Sequence, residues 1–214
     1  MEHICYIVGA VPLGGAVPRP RPGDYVIAAD GGYAALAALG VTPDLVMGDF
    51  DSLGAAPDHP NVETHSPVKD DTDTMLAVRW ALERGWRRFR IYGALGGPRP
   101  DHTLASIQTL RYLVEHGASG FLVGEGWTVA VVRNGTLRFP AAARGYLSVF
   151  CSGDAARGVT LRGLKYPLDD ATVTCGVPIG VSNEFLGEEA LVRVREGCLV
   201  VLWQGELFPE VCDG

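Results

Sequence analysis

The chain has 214 residues, 47% of them hydrophobic and 20% charged, with 18 basic and 25 acidic side chains and a formal net charge of −7. That length supports one large domain or two modest ones with a real core, and the composition is that of a globular protein. An acidic balance leaves no basic footprint for a phosphate backbone, so no nucleic acid is expected, although a single nucleotide bridged through a metal remains compatible.

Residues 4–9 (Ile-Cys-Tyr-Ile-Val-Gly) predict a first buried strand, followed by a glycine-rich stretch to Gly15. Those glycines let backbone N–H groups approach a phosphate, or merely turn the chain into a helix; the pattern is neither a Walker loop nor a dinucleotide fingerprint. Residues 18–23 (Pro-Arg-Pro-Arg-Pro-Gly) read as a rigid loop. Residues 25–29 predict a second buried strand with Asp30-Gly31-Gly32 at its carboxyl end, then a helix over 33–39 stopped by Gly40 and Pro43. Open α/β sheets bind ligands at such junctions, where a helix N-terminus offers N–H donors to an anion; Asp30 alternatively only caps the helix.

Residues 44–47 (Asp-Leu-Val-Met) predict a further buried parallel strand that delivers Gly48-Asp49-Phe50-Asp51-Ser52 into a loop. If the backbone stays extended, Asp49 and Asp51 face one cleft and Phe50 anchors the loop in the core. Neighbouring carboxylates repel, and a hard divalent ion such as Mg2+ relieves that repulsion; the alternative is a solvated turn. After a short strand at 62–65, Lys69-Asp70-Asp71-Thr72-Asp73 leads into a helix with Met75, Leu76, Val78, Trp80 and Leu82 as its apolar face and Gly85 as its stop. Thr72 suits the N-cap and Asp73 the helix dipole, but capping does not account for three carboxylates behind a lysine. Together the two acidic clusters read as a metal–polyphosphate site.

Residues 89–95 predict another strand, ending in Gly96-Gly97-Pro98-Arg99-Pro100-Asp101-His102 before a helix over 103–115 and a stop at Gly117. Arg99 can fork onto a phosphate, and His102 either donates to one or caps the helix. Residues 121–124 close this region, and the strand–helix alternation predicts an α/β doubly wound parallel sheet.

From Glu125 helical periodicity vanishes. Asn134-Gly135 gives a hairpin signal between runs at 128–132 and 136–139. Runs at 146–151, 159–164, 172–175, 191–194 and 199–203 continue the series, with a Glu196-Gly197 turn dividing the last pair. Residues 125–214 therefore predict an all-β, sandwich-like or barrel-like module whose edges call for pairing with a second subunit. The five cysteines form no Cys-x-x-Cys pair, and Met1-Glu2-His3-Ile4 lacks the layout of a signal peptide, so a cytoplasmic location is expected. No apolar run is long enough for a bilayer, and no membrane partner is expected.

Several short motifs occur in a fixed order over nearly the whole chain. They are Ala29-Asp30-Gly31-Gly32, Pro43-Asp44 with Gly48-Asp49-Phe50-Asp51-Ser52, and Lys69-Asp70 with Thr72-Asp73. Gly96-Gly97 with Asp101-His102, Gly163-Leu164-Lys165-Tyr166-Pro167-Leu168 and Val181-Ser182-Asn183-Glu184-Phe185 follow. In this combination the chain resembles the thiamine pyrophosphokinase (thiamine diphosphokinase) family. The resemblance implies a Rossmann-like ATP-binding catalytic domain over residues 1–124, then a β-sandwich thiamine-binding and dimerisation domain over 125–214, in a homodimer. It implies transfer of the pyrophosphoryl group of MgATP to the hydroxyethyl oxygen of thiamine, giving thiamine diphosphate and AMP.

Carried over position by position, the resemblance implies that Asp30, Asp49, Asp51 and Asp73 are catalytic, with Asp49, Asp51 and Asp73 on Mg2+. It assigns ATP to Asp30, Gly31, Gly32, Lys69, Asp70, Gly96, Gly97, Arg99, Asp101 and His102. It assigns thiamine to Tyr166, Ser182 and Asn183, reached in the family across the dimer interface. One departure stands out: the family pattern runs Gly-Gly-Arg-x-Asp-His, whereas here Pro98 separates Gly97 from Arg99 and lengthens the loop by one residue. The same acidic loops would serve a pyrophosphokinase for another hydroxymethyl heterocycle, such as a pterin, or a non-catalytic nucleotide- or thiamine-binding protein. The motifs at 163–168 and 181–185 favour thiamine, and retention of every carboxylate favours catalysis.

Overall fold

The apolar runs of the first half become strands, the inner ones buried on both faces as a parallel sheet covered by helices requires, while the edge strand at 62–64 is only partly buried. In the computed structural model, which describes residues 3–50, 57–65 and 71–213, these are β1 (Cys5–Val8), β2 (Tyr25–Ala29), β3 (Leu45–Gly48), β4 (Val62–Thr64), β5 (Arg88–Tyr92) and β6 (Ser119–Gly124). They run parallel in the order β6-β5-β1-β2-β3-β4, with β1 central and fully buried. Asp51, Ser52, Lys69 and Asp70 lie outside the described residues.

Three helices accompany this sheet: α1 (Gly32–Ala38), α2 (Asp73–Glu83) and α3 (Pro100–Glu115). Each stops at the glycine expected from the sequence, Gly40, Gly85 or Gly117, with a positive φ and the paired backbone bonds of a Schellman end. The buried face of α2 differs from the expected one. Thr74, Ala77, Val78 and Ala81 are buried, while Met75, Leu76, Trp80 and Leu82 are only half-buried. Small residues bring the helix axis close to the sheet, and the larger ones flank it. Trp80 stacks on Tyr25 at 5.6 Å and donates its indole N–H to Glu63 Oε1 at 2.7 Å. The third helix begins earlier than expected because Pro100 takes the first helical position, where a missing N–H costs nothing.

The chain divides into two units, Met1–Gly126 and Trp127–Gly214. The second is built of β7 (Trp127–Arg133), β8 (Gly135–Phe139), β9 (Tyr146–Cys151), β10 (Ala155–Arg162), β11 (Leu168–Thr174), β12 (Gly180–Glu184), β13 (Ala190–Arg193), β14 (Cys198–Gln204) and β15 (Glu210–Asp213). All its pairings are antiparallel, in two sets ordered β12-β9-β14-β7 and β11-β10-β13-β8-β15. Trp203 of β14 meets Phe139 of β8 edge-on at 5.1 Å, and Phe139 meets Phe185 at 5.2 Å, so the two sets face each other across an aromatic core. Burying aromatic rings of this size stabilises by roughly 1.5–3 kcal/mol each.

The Asn134-Gly135 hairpin is not formed. β7 pairs with β14, while β8 pairs with β13 and β15 in the other set. Asn134, at φ 46°, instead carries the chain from one set to the other. Its Oδ1 accepts from Gly197 N at 2.9 Å, tying this crossing to the return crossing at Glu196-Gly197. The left-handed conformation that suits Asn in a hairpin also suits a sharp corner between sheets. The protein is mostly β, with no helix among the described residues long and apolar enough to cross a membrane.

Candidate functional site

The carboxyl ends of β1, β2 and β5 meet the first turns of α2 and α3 around a cavity of about 390 Å³. Its floor is backbone. Val11 N donates to Gly93 O at 2.9 Å, and a Cβ on Gly93 would lie 2.3 Å from Gly9 O. Only glycine at both positions lets the strand ends approach so closely. The α1 start is equally tight, since a Cβ on Gly32 would lie 1.8 Å from Val8 O. That contact explains Gly32 structurally, and a Cβ on Gly31 would lie 3.0 Å from Ala10 Cβ, whatever the pair's role toward a ligand.

Asp30 lines the cavity with φ 48° and donates its backbone N–H to Met47 O at 2.7 Å. It does not cap α1: the cap position is Gly31, with no side-chain bond. Gly48 packs on Asp30, its virtual Cβ 3.1 Å from Asp30 Cα, so the half-buried Asp49 follows directly from that contact. Phe50 is buried, 3% exposed, as expected of an anchor. Its φ of 58° departs from the extended backbone at this position, and Asp51 lies outside the described residues.

Asp71, Thr72, Asp73 and Thr74 form another wall of the cavity. Thr72 Oγ1 caps α2 by accepting from Met75 N at 3.2 Å, so the cap does not need Asp73. Asp71 pairs with Arg79 at 2.9 Å, which neutralises part of the cluster. Among the described residues no group of three or more His, Cys, Asp or Glu side chains converges enough to hold a metal ion. Mg2+ commonly takes one or two carboxylates and completes its shell with water and phosphate oxygens. Asp30 and Asp73 on one cavity are a donor set of that kind.

His102 and Ser106 of α3 complete the lining. His102 is inside the helix rather than its cap, and its backbone N–H donates to Arg99 O at 3.1 Å. Arg99 places its guanidinium on Asp101, with Nε 2.9 Å from Oδ1, and both side chains are exposed. The hydrogen bonds from Arg99 lower the Asp101 carboxyl to about 2 and raise the guanidinium. The fork expected for a phosphate is thus turned onto Asp101. Gly96 N donates to Thr103 Oγ1 at 3.0 Å, and Gly97 N donates to Glu125 Oε1 at 3.4 Å.

The residues expected to meet thiamine also come together. Lys165 N donates to Glu184 O at 3.0 Å, and Leu164 bridges Phe185, so the two distant motifs lie antiparallel. Asn183 is 2% exposed. Its Oδ1 accepts from Tyr166 N at 2.9 Å and Glu184 N at 3.0 Å, and its Nδ2 donates to Tyr166 O at 2.7 Å. Ser182 sits in an irregular stretch of β12 with φ 59° and gives its N–H to Ser148 Oγ at 3.0 Å. Tyr166 is 57% exposed, with Lys165 Nζ 5.5 Å from its ring centre and 2.7 Å from Glu184 Oε1.

The sequence reading set Gly9, Ala10 and Val11 in the strand end and glycine-rich stretch that it offered either to a phosphate or to a simple turn, and it passed over Thr74, Ser106 and Glu125. Position just beyond a strand's carboxyl end was the available signal for the first three and for Glu125. Nothing in the local pattern distinguishes Thr74 or Ser106 from ordinary helix residues.

Comparison with known proteins matches residues 21–122 to the model of the thiamin pyrophosphokinase catalytic domain and residues 136–199 to that of the thiamin pyrophosphokinase vitamin B1 binding domain. The thiamine pyrophosphokinase of Bacillus subtilis (strain 168) is 29% identical over 184 residues, covering 82% of this chain and 85% of that one. Its crystal structure superposes with a TM-score of 0.83 at 28% identity, over 95% of this chain and all of the other. The crystal structure of the Geobacillus thermodenitrificans thiamin pyrophosphokinase gives 0.79 at 27% identity, over 95% and 98% of the two chains. The chain, matched in both its halves, belongs to the thiamine pyrophosphokinase family.

Proposed function

We propose that the protein transfers the pyrophosphoryl group of ATP to the hydroxyl of thiamine, yielding thiamine diphosphate and AMP, in a Mg2+-dependent reaction. The observation that carries this is one cavity at the carboxyl ends of parallel strands with Asp30 and Asp73 on its wall. Ligands bind at that end of open α/β sheets, which supports a Rossmann-like, ATP-binding role for the first unit. Attack by an alcohol on the β-phosphorus builds charge on phosphoryl oxygens, so positioning and electrostatics carry the rate.

In this reading Asp30, Asp49 and Asp73, with Asp51, would hold a Mg2+, which would supply positive charge toward the phosphates. A carboxylate of this set accepts the proton of the thiamine hydroxyl. His102 and Thr72 offer donors to phosphate oxygens from the cavity wall, while the Ser106 hydroxyl donates to His102 O at 2.9 Å and so fixes that turn of α3. Gly31, Gly32, Gly96 and Gly97 keep the surrounding backbone low, Arg99 and Asp101 stand at the start of α3, and Lys69 and Asp70, which lie outside the described residues, are taken as further ATP contacts. Tyr166 presents an exposed ring to the heteroaromatic substrate, a stacking or cation–π contact worth about 0.5–2 kcal/mol. Asn183 sets the backbone on which that ring stands, and Ser182, next to it on β12, is kept as a thiamine contact.

The second unit serves thiamine binding and homodimerisation. Tyr146 and Phe150 of β9 and Val181 of β12 are large apolar side chains left exposed, beside Ile179. A face of this kind is what a second copy would cover. Sedimentation at micromolar concentration should report twice the 22.8 kDa chain mass, and a monomer would remove this part of the reading. All five cysteines are free thiols, which suits a cytoplasmic setting. Substrate choice is tested by AMP release with thiamine against AMP release with a hydroxymethylpterin. Release with the pterin alone would transfer the reading to the related reaction.

A further inference from the structure

We infer that Glu125 reads the ribose of the bound nucleotide, and that the Gly96-Gly97 loop serves the nucleoside end of the site rather than the phosphates. The inference rests on the ATP reading above. Glu125 stands just past the end of β6 with φ 52°, and its carboxylate lies directly against the double glycine. Gly97 N donates to Oε1 at 3.4 Å, and a Cβ on Gly96 would fall 2.4 Å from the carboxyl carbon. On the other side, a Cβ on Gly14 would lie 3.0 Å from Glu125 N. Two glycine-bearing loops thus make room for one acidic side chain.

An ionised carboxylate only accepts hydrogen bonds. Set against the Gly96-Gly97 amides, it would repel a triphosphate brought to them. The vicinal hydroxyls of a ribose are donors and match it. The strand order supplies the direction. Asp30 and Asp49 follow β2 and β3, whereas Glu125 follows β6, with β1 and β5 between. From β2 to β6 there are three strand spacings, about 14 Å at ~4.8 Å each. Phosphates anchored near Asp30 and Asp73 and running over the Gly9–Gly93 floor would bring the ribose to that end. The Gly97 turn adjoins the cavity wall: Val11 lines the cavity, and a Cβ on Gly97 would lie 3.1 Å from Val11 Cγ1.

The test compares Glu125→Ala and Glu125→Gln with the parent enzyme, using ATP and 2′,3′-dideoxy-ATP. Glu125→Ala should raise KM for ATP about tenfold, equivalent to ~1.4 kcal/mol, with kcat within about twofold. The same change should leave KM for dideoxy-ATP where it was. Glu125→Gln, which keeps one acceptor oxygen, should give a smaller rise for ATP. Equal effects on the two nucleotides would overturn the proposal. So would a fall in KM, which would mark the carboxylate as an obstacle to phosphate. Calorimetric titration of the two nucleotides onto the same variants asks the question without turnover. Loss of activity with thiamine in the parent protein would therefore count against the reaction, not against Glu125.

Discussion

Asn183 is the residue on which the thiamine-facing segment is expected to depend most. Its side chain makes three hydrogen bonds in a position that is 2% exposed, two of them to the backbone of Tyr166 and one to Glu184 N. A net hydrogen bond contributes about 1 kcal/mol, and a buried partner left unsatisfied costs about 1–3 kcal/mol. Asn183→Ala should therefore destabilise by roughly 3 kcal/mol. For a chain of this length that lowers Tm by roughly 6–12 °C. Asn183→Asp keeps the acceptor but sets a second oxygen against Tyr166 O, so it should lose nearly as much. Thermal unfolding, together with KM for thiamine and for ATP, reads out both effects. Tyr166→Ala supplies the contrast: it should raise KM for thiamine while leaving Tm close to the parent value, because the ring is 57% exposed. A Tm for Asn183→Ala within about 1 °C of the parent would refute the positioning role.

Other outcomes follow from the same geometry. Asp73→Asn should lower turnover at limiting Mg2+ by two to three orders of magnitude, on the order of a lost transition-state contact, while the Thr72 cap keeps stability within about 1 kcal/mol. Unchanged turnover would remove Asp73 from the site. Gly32→Ala drives a methyl group to 1.8 Å from Val8 O, a backbone atom that cannot swing aside, and should cost at least roughly 1–3 kcal/mol by chemical denaturation. The Asp101 carboxyl, held at about 2 by Arg99, is depressed in the folded protein. Its contribution is therefore present above the ordinary carboxylate range and lost as pH falls through the folded value. NMR titration should place the midpoint of the Asp101 carboxyl near pH 2 in the parent and near ~3.9 in Arg99→Ala, where the contribution is absent. A parent midpoint near the ordinary value would show that the ion pair does not form.

The helix stops at Gly40, Gly85 and Gly117 were legible because a left-handed terminus leaves a local signature that needs no tertiary information. The parallel strands were legible because burial on both faces writes a continuous apolar run. What stayed hidden depends on partners far along the chain. Asn134-Gly135 carries a hairpin signal, yet strand pairing is decided by the aromatic core around Trp203 and Phe139, which the dipeptide does not report. The apolar residues of α2 follow helical spacing, but the close approach of the helix to the sheet selected Ala77 and Ala81 for the buried face. Asp30 and Asp73, which line the cavity, were singled out because an acidic residue at a strand or helix end stands out in a sequence. The engagement of Arg99 by Asp101, and of the Gly96-Gly97 loop by Glu125, needed coordinates. Asn183 was expected to touch substrate, and its amide turned out to hold Tyr166.

The measurement that bears most directly on the central claim is the joint appearance of AMP and thiamine diphosphate from purified protein, ATP, Mg2+ and thiamine. The account predicts equal amounts of the two products, dependent on Mg2+ and abolished by chelation. ADP in place of AMP, or AMP without thiamine diphosphate, would contradict it.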